Sequence, residues 1–244
     1  TLLKGLDLTA FLSYRKIDAT LSDKGGIQTI QKTGLHRTLK EIAKQNIASN
    51  TLMGGNINYR NQGWHIGVTG FYTSFSLPLT PDKSQLYKRF APQGYNFWNA
   101  SVDYGYVSHR WTIAGETATG NCGAIATLNA ASYLFSDHFS LLALHRFYSA
   151  RYYSLFSNSF SEGSDVQDEN GAYLGFTWVP AHRWSINGYS DFSYFVWPKY
   201  HTKQSTQCWD HLLNILYQPN KRWMLGTRLR YKEKAGTTTG RWRL

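Results

Sequence analysis

A short polar step ending on a large aromatic ring recurs along the chain. It reads SHRW at Ser108 to Trp111, AHRW at Ala181 to Trp184 and NKRW at Asn220 to Trp223, with looser copies NQGW at Asn61 to Trp64 and SDHF at Ser136 to Phe139. On either side of each step the residues alternate with period two. In WNASVDYGY, Trp98, Ala100, Val102, Tyr104 and Tyr106 share one face, and Asn99, Ser101, Asp103 and Gly105 share the other. After the SHRW step, Trp111, Ile113, Gly115 and Thr117 oppose Thr112, Ala114, Glu116 and Ala118. Neighbouring side chains of a strand point to opposite faces, so the steps are turns between strands with one apolar and one polar or small face.

The same parity sets Leu8, Leu12 and Tyr14 against Asp7, Thr9 and Arg15, and Leu225, Leu229 and Tyr231 against Arg228 and Arg230. Phe11 and Phe71 fall on the polar side as exceptions. Between 139 and 149, His145 and Arg146 are adjacent, so both can face a polar side only across a bulge. About twelve strands are predicted: 5–17, 51–60, 64–75, 96–107, 111–119, 125–135, 139–150, 172–179, 184–194, 207–218, 223–232 and one beginning near 241. Short links, the five repeated steps, alternate with longer ones at 18–50, 76–95, 120–124, 151–171, 195–206 and 233–240.

All the long connections therefore lie at one end of the sheet. A soluble sandwich has no reason to segregate its loops, whereas an outer-membrane barrel joins short periplasmic turns to long external loops. The pattern predicts an all-β fold, an antiparallel up-and-down transmembrane β-barrel, as a single domain over residues 1–244. The chain starts at Thr1 without a signal peptide and stops at RWRL as a strand begins, which reads as part of a longer barrel chain.

Composition agrees with this reading. Mean hydropathy is −0.43 and no run of about 18 apolar residues occurs, which excludes a transmembrane helix. In a barrel only every second residue meets lipid, so a low average is expected. Aromatic residues make up 16% of the chain, and rings with a polar handle favour membrane–water interfaces. Trp64, Trp111, Phe139, Trp184 and Trp223 each open a strand that leaves a short turn, so they are expected to form a girdle at the periplasmic interface. Asp7, Arg15, Asp103, Glu116, Arg228 and Arg230 are expected to line the lumen. The net charge of +11 is scattered without a basic block, so no nucleic-acid partner is indicated.

Three loop-side stretches, GLHRTLKEIAKQN (34–46), NCGAIATLNA (121–130) and SFSEGSDVQDENGAYLGF (159–176), together with the turns, carry a family resemblance. The chain resembles the barrel domains of Bacteroidota outer-membrane proteins often labelled helix-hairpin-helix domain-containing proteins, along most of its length. The resemblance implies an outer-membrane barrel of a Gram-negative bacterium and brings no established activity. Longer members carry a helix-hairpin-helix segment before the barrel. These residues do not include it, so no link to DNA is carried over.

Thr38 to Glu41 fits a capping box, and LKEIAKQN would continue as about two turns of helix. Leu39, Ile42 and Ala43 could pack it on a barrel rim or plug the lumen, although an ordered external loop is the favoured reading. The acidic stretch around Glu162, Asp165, Asp168, Glu169 and Asn170 resembles part of a calcium loop, but Val166 and Thr177 occupy ligand positions, so a solvated loop is expected. Eight histidines and many serines raise a hydrolase reading. No GxSxG stretch occurs, and His109, His138 and His182 sit in turns, so no catalytic, cofactor or metal residue is assigned. Cys122 and Cys208 would both lie near the external side, and their pairing is left open.

A non-enzymatic outer-membrane barrel is therefore expected, in contact with lipid and lipopolysaccharide and without a cofactor. It would be a porin-like passage for small solutes or, alternatively, a non-conducting scaffold that binds an envelope protein through its external loops. A lumen crowded with tyrosine, arginine and carboxylate pairs would favour the scaffold; an open one would favour the pore, with anions preferred if its arginines dominate.

Overall fold

A computed structural model describes residues 4–163, 165–200 and 202–234, and the backbone alone of 237–243. The protein is all-β. In chain order the elements are β1 (Leu6–Ile17), β2 (Ala19–Leu21), β3 (Ile27–Ile30), α1 (Leu39–Ile42), β4 (Ala48–Asn61), β5 (Trp64–Leu79), β6 (Gly94–Val107), β7 (Trp111–Gly120), β8 (Ala126–Ser136), β9 (Phe139–Tyr148), β10 (Glu169–Trp178), β11 (Trp184–Phe195), β12 (Thr206–Asn220), β13 (Trp223–Lys234) and β14 (Thr237–Arg243). β1 is bonded to β4, and from β4 to β14 each strand is bonded to the next, giving one up-and-down sheet. β2 and β3 form a separate hairpin that joins the sheet through one parallel pair, Ile27 with Leu79.

The five repeated steps are the tight turns. Asn61 pairs with Trp64 across Gln62 and Gly63, whose φ values of 45° and 87° give the twist a two-residue hairpin needs. Ser136 pairs with Phe139, and Asn220 with Trp223, also across two residues but without positive φ and with a register shift just before the turn. The opposite end carries the loops 18–47, 80–93, 121–125, 149–168 and 196–205. The connection expected at 233–240 is mostly strand, since β13 reaches Lys234 and β14 begins at Thr237.

The structure separates His145 from Arg146 and corrects the expected length of the helix. β9 pairs with β10 in unbroken register from Tyr148 to Phe139, so no bulge intervenes. His145 is exposed on one face while Arg146 is buried on the other. The helix is only Leu39–Ile42. Its capping box forms, but Leu39 is 85% exposed, so it neither packs on the sheet nor plugs it.

Buried residues share one parity: Asn50, Thr73, Phe97, Asn99, Arg146, Ser193 and Asp210. The face they define is the inner face. Phe11 and Phe71 belong to it, in register with Gly54 between them. A Cβ at Gly54 would sit 2.5 Å from the Phe11 ring and 2.8 Å from the Phe71 Cβ, which explains the glycine. The other face is bare and apolar, with Leu12 76% and Trp223 66% exposed. Total accessible surface is 16064 Å², against roughly 11,000 Å² for a soluble monomer of this mass.

The sheet curls around its loops. Arg15 on β1 lies over the Phe156 ring, and Lys232 on β13 bonds Glu162, both within loop 149–168. In a flat sheet β1 and β13 would stand roughly 48 Å apart at about 4.8 Å per strand. The backbone between residues 156 and 162 spans at most about 20 Å, and it bends at Phe156 and Phe160.

Candidate functional site in the loop-filled interior

Loop 149–168 enters the inner face and is tied there by charge. The Arg146 side chain is wholly buried. Its Nε donates to Glu169 Oε1 at 2.5 Å, its Nη1 and Nη2 donate to the two oxygens of Asp191 at 2.8 and 3.1 Å, and Nη2 also donates to Ser193 Oγ at 2.6 Å. The Phe160 ring covers the guanidinium at 5.0 Å. Gly171, opposite on β10, lets the group lie flat, because a Cβ there would fall 2.5 Å from the guanidinium carbon.

The network continues through the loop. Glu169 accepts the backbone N–H of Glu162 at 2.9 Å and that of Gly163 at 3.1 Å. The Glu162 carboxylate in turn accepts from Lys232 Nζ at 2.7 Å and Lys234 Nζ at 3.5 Å. Lys232 also lies 3.4 Å from Asp210, which accepts from Arg230 Nε at 2.9 Å. Glu162, Glu169, Asp191 and Asp210 thus match Arg146, Arg230, Lys232 and Lys234 in number. Buried charges are tolerated when paired and hydrogen-bonded in this way. Nearer β1, Asn99 Nδ2 donates to Tyr153 O at 3.2 Å, and Tyr153 and Leu155 pack on a small core of Ile17, Ala19, Ile27, Phe75 and Phe97.

The lumen residues expected from sequence all fall on the inner face, but only some come together. Arg230 joins the network. Asp103 lies 3.6 Å from His65 and is in register with Glu116. Arg15 rests on Phe156. Asp7 and Arg228 make no ion pair among the described residues. Arg146, Glu169, Asp191 and Asp210 were missed. Their inward parity was readable for Asp191 and Asp210, whereas Arg146 was obscured by its neighbour His145. Asp168 and Glu169 are buried, so the acidic stretch is not the solvated loop expected.

Trp64, Trp111, Phe139, Trp184 and Trp223 all lie on the outer face at the turn end. Three of these rings meet a tyrosine on the next strand at 4.4–4.5 Å: Trp64 with Tyr106, Trp111 with Tyr133, and Trp184 with Tyr217. Phe139 meets Phe135 at 5.4 Å. These partners, each entering a turn, double the row and were not singled out from sequence. Toward the turn end the inner face leaves a cavity of about 380 Å³ lined by Thr112, Ser132, Ser140, Tyr173, Asn187 and Tyr189.

At the loop end, loop 80–93 meets loop 196–205. Trp197 Nε1 donates to Leu86 O at 2.7 Å, and its ring packs on Phe90 at 4.9 Å. Asp168 accepts the Trp197 N–H at 2.9 Å and stands 3.7 Å from Lys199 Nζ, which joins this cap to loop 149–168. Burial raises the Asp168 carboxyl above its usual range and lowers the Lys199 amine. Cys122 and Cys208 are both free thiols. Compared with known proteins, the chain matches no family model, no curated protein and no solved structure.

Proposed function

We propose that this chain forms the wall of an outer-membrane β-barrel of Bacteroidota type. Its interior is closed by its own loop 149–168, and it serves as a non-enzymatic scaffold that presents its external loops to a partner. The bare apolar face and the paired rings at the turn end support a lipid setting, because membrane barrels carry an outward apolar band flanked by interfacial rings. The observation that carries the scaffold reading over the passage is the tied-in loop: the Glu162 carboxylate accepts from Lys232 and Lys234 on β13, the Glu162 and Gly163 N–H groups donate to Glu169, and Glu169 is paired with the buried Arg146 of β9. Arg230, expected to tune ion preference, is occupied by Asp210.

The test is a planar-bilayer recording. The protein should show no stable single-channel steps. A variant with residues 154–161 replaced by a short glycine–serine link should conduct. Stable open-channel currents from the unmodified protein would establish the passage instead.

A further inference from the structure

The cap where loops 80–93 and 196–205 meet has a composition unlike the rest of the surface. Four rings stand in two edge-to-face pairs, Phe90 with Trp197 and Tyr87 with Tyr200, the latter at 5.3 Å. Cations are set among them: Lys88 Nζ lies 5.5 Å from the Tyr87 ring, and the Arg89 guanidinium 5.9 Å from the Trp197 ring. Lys83, Arg89 and Lys203 are exposed, as are Leu86 and Tyr200, the last at 63%. Lys83, Lys88, Arg89 and Lys203 make no ion pair among the described residues. Lys199, by contrast, is matched by Asp168. The one acid in the patch, Asp82, accepts the Ser84 N–H at 3.0 Å and feels the charge of Lys88, which leaves Lys83, Arg89 and Lys203 as the cations offered to a ligand.

The patch is also held in place. The bond from Trp197 to Leu86 joins residues 111 apart in sequence. β5 and β11, which carry these loops, are six steps apart in the sheet, so the cap lies across the mouth and not along the outer flank. Preorganised rings and cations lower the ordering cost of binding.

We propose that this cap is a docking surface for an extended anionic polysaccharide arriving from outside the cell. The inference rests on the scaffold reading, because it names what the external loops hold. Flat ring faces suit the C–H faces of sugars, and unpaired lysine and arginine suit carboxylate or sulfate groups. Its position over the mouth favours a free polymer over the headgroups of the surrounding membrane.

The test is calorimetric titration of the whole protein in detergent with an oligogalacturonate. Neutral dextran, a thymidine 12-mer and vesicles containing anionic lipid serve as comparators. Oligogalacturonate should bind, weakening as salt is raised, and dextran should not. Combining Lys83→Gln, Arg89→Gln and Lys203→Gln should weaken binding about tenfold. Tyr200→Ala should weaken it several-fold. The matched combination Lys24→Gln, Lys32→Gln and Lys44→Gln, in loop 18–47, should leave it unchanged. Equal loss from both triple variants would mean that the overall charge of +11 attracts any polyanion, and would overturn the proposal. So would tighter binding of the thymidine 12-mer or of the vesicles. Bilayer silence is read separately, so loss of the docking site leaves the closed-interior result standing.

Discussion

The wholly buried Arg146 side chain ties three inner-face residues together. It satisfies Glu169, Asp191 and Ser193 at once, and Gly171 gives it the room to do so. Arg146→Met would keep much of the volume but leave two carboxylates facing each other without a cation. Breaking a buried pair by removing one partner costs about 3–5 kcal/mol, and that loss is the expected outcome in urea unfolding of the detergent-held protein. Arg230→Gln, whose side chain is 39% exposed, should cost clearly less. Equal losses would mean that burial does not decide the strength of these pairs. Which groups pair was not legible at the residue scale. Arg146 and Glu169 are 23 positions apart, and Arg146 and Asp191 45. Period-two parity gives the face a residue points to, and says nothing about which side chains on that face it will meet.

Strands were far more legible than loops, for a physical reason. A strand buried or lipid-facing on one side must repeat its apolar residues every two positions, and a two-residue turn demands its own residue types. Both signals are local. The β2–β3 hairpin lay unnoticed inside a predicted loop because it is short: Ala19–Leu21 and Ile27–Ile30 hold too few residues to show a period. The helix was overextended because a capping box marks where a helix begins, while its length depends on packing that Leu39 and Ile42 do not find. The face assignment supplies its own test. Val102 points outward and Ser101 inward on β6. On the proposed lipid setting, Val102→Arg should cost roughly 2–4 kcal/mol near the bilayer midplane. Ser101→Arg should be milder in folding titrations into bilayers. The reverse order would invert the two faces.

At the scale of the whole molecule, the decisive asymmetry is between the two ends of the sheet. One end has turns of a few residues, knit to one another by bonds such as Val107 N–H to Gly63 O at 2.8 Å and Gln218 N–H to Arg183 O at 2.8 Å. The other end spends its loops on filling the interior and capping the mouth. On the proposed outer-membrane setting, short turns belong on the periplasmic side and long loops on the outer side. The loop end should therefore face out. With Cys122 and Cys208 replaced by alanine, a cysteine at Lys83, exposed on the cap, should react with a membrane-impermeant thiol reagent on intact cells. A cysteine at Asn220, in the last tight turn, should react only once the outer membrane is opened. Comparable labelling of both in intact cells would remove the topology, and with it the reason to read the capped mouth as a surface that meets ligands from outside.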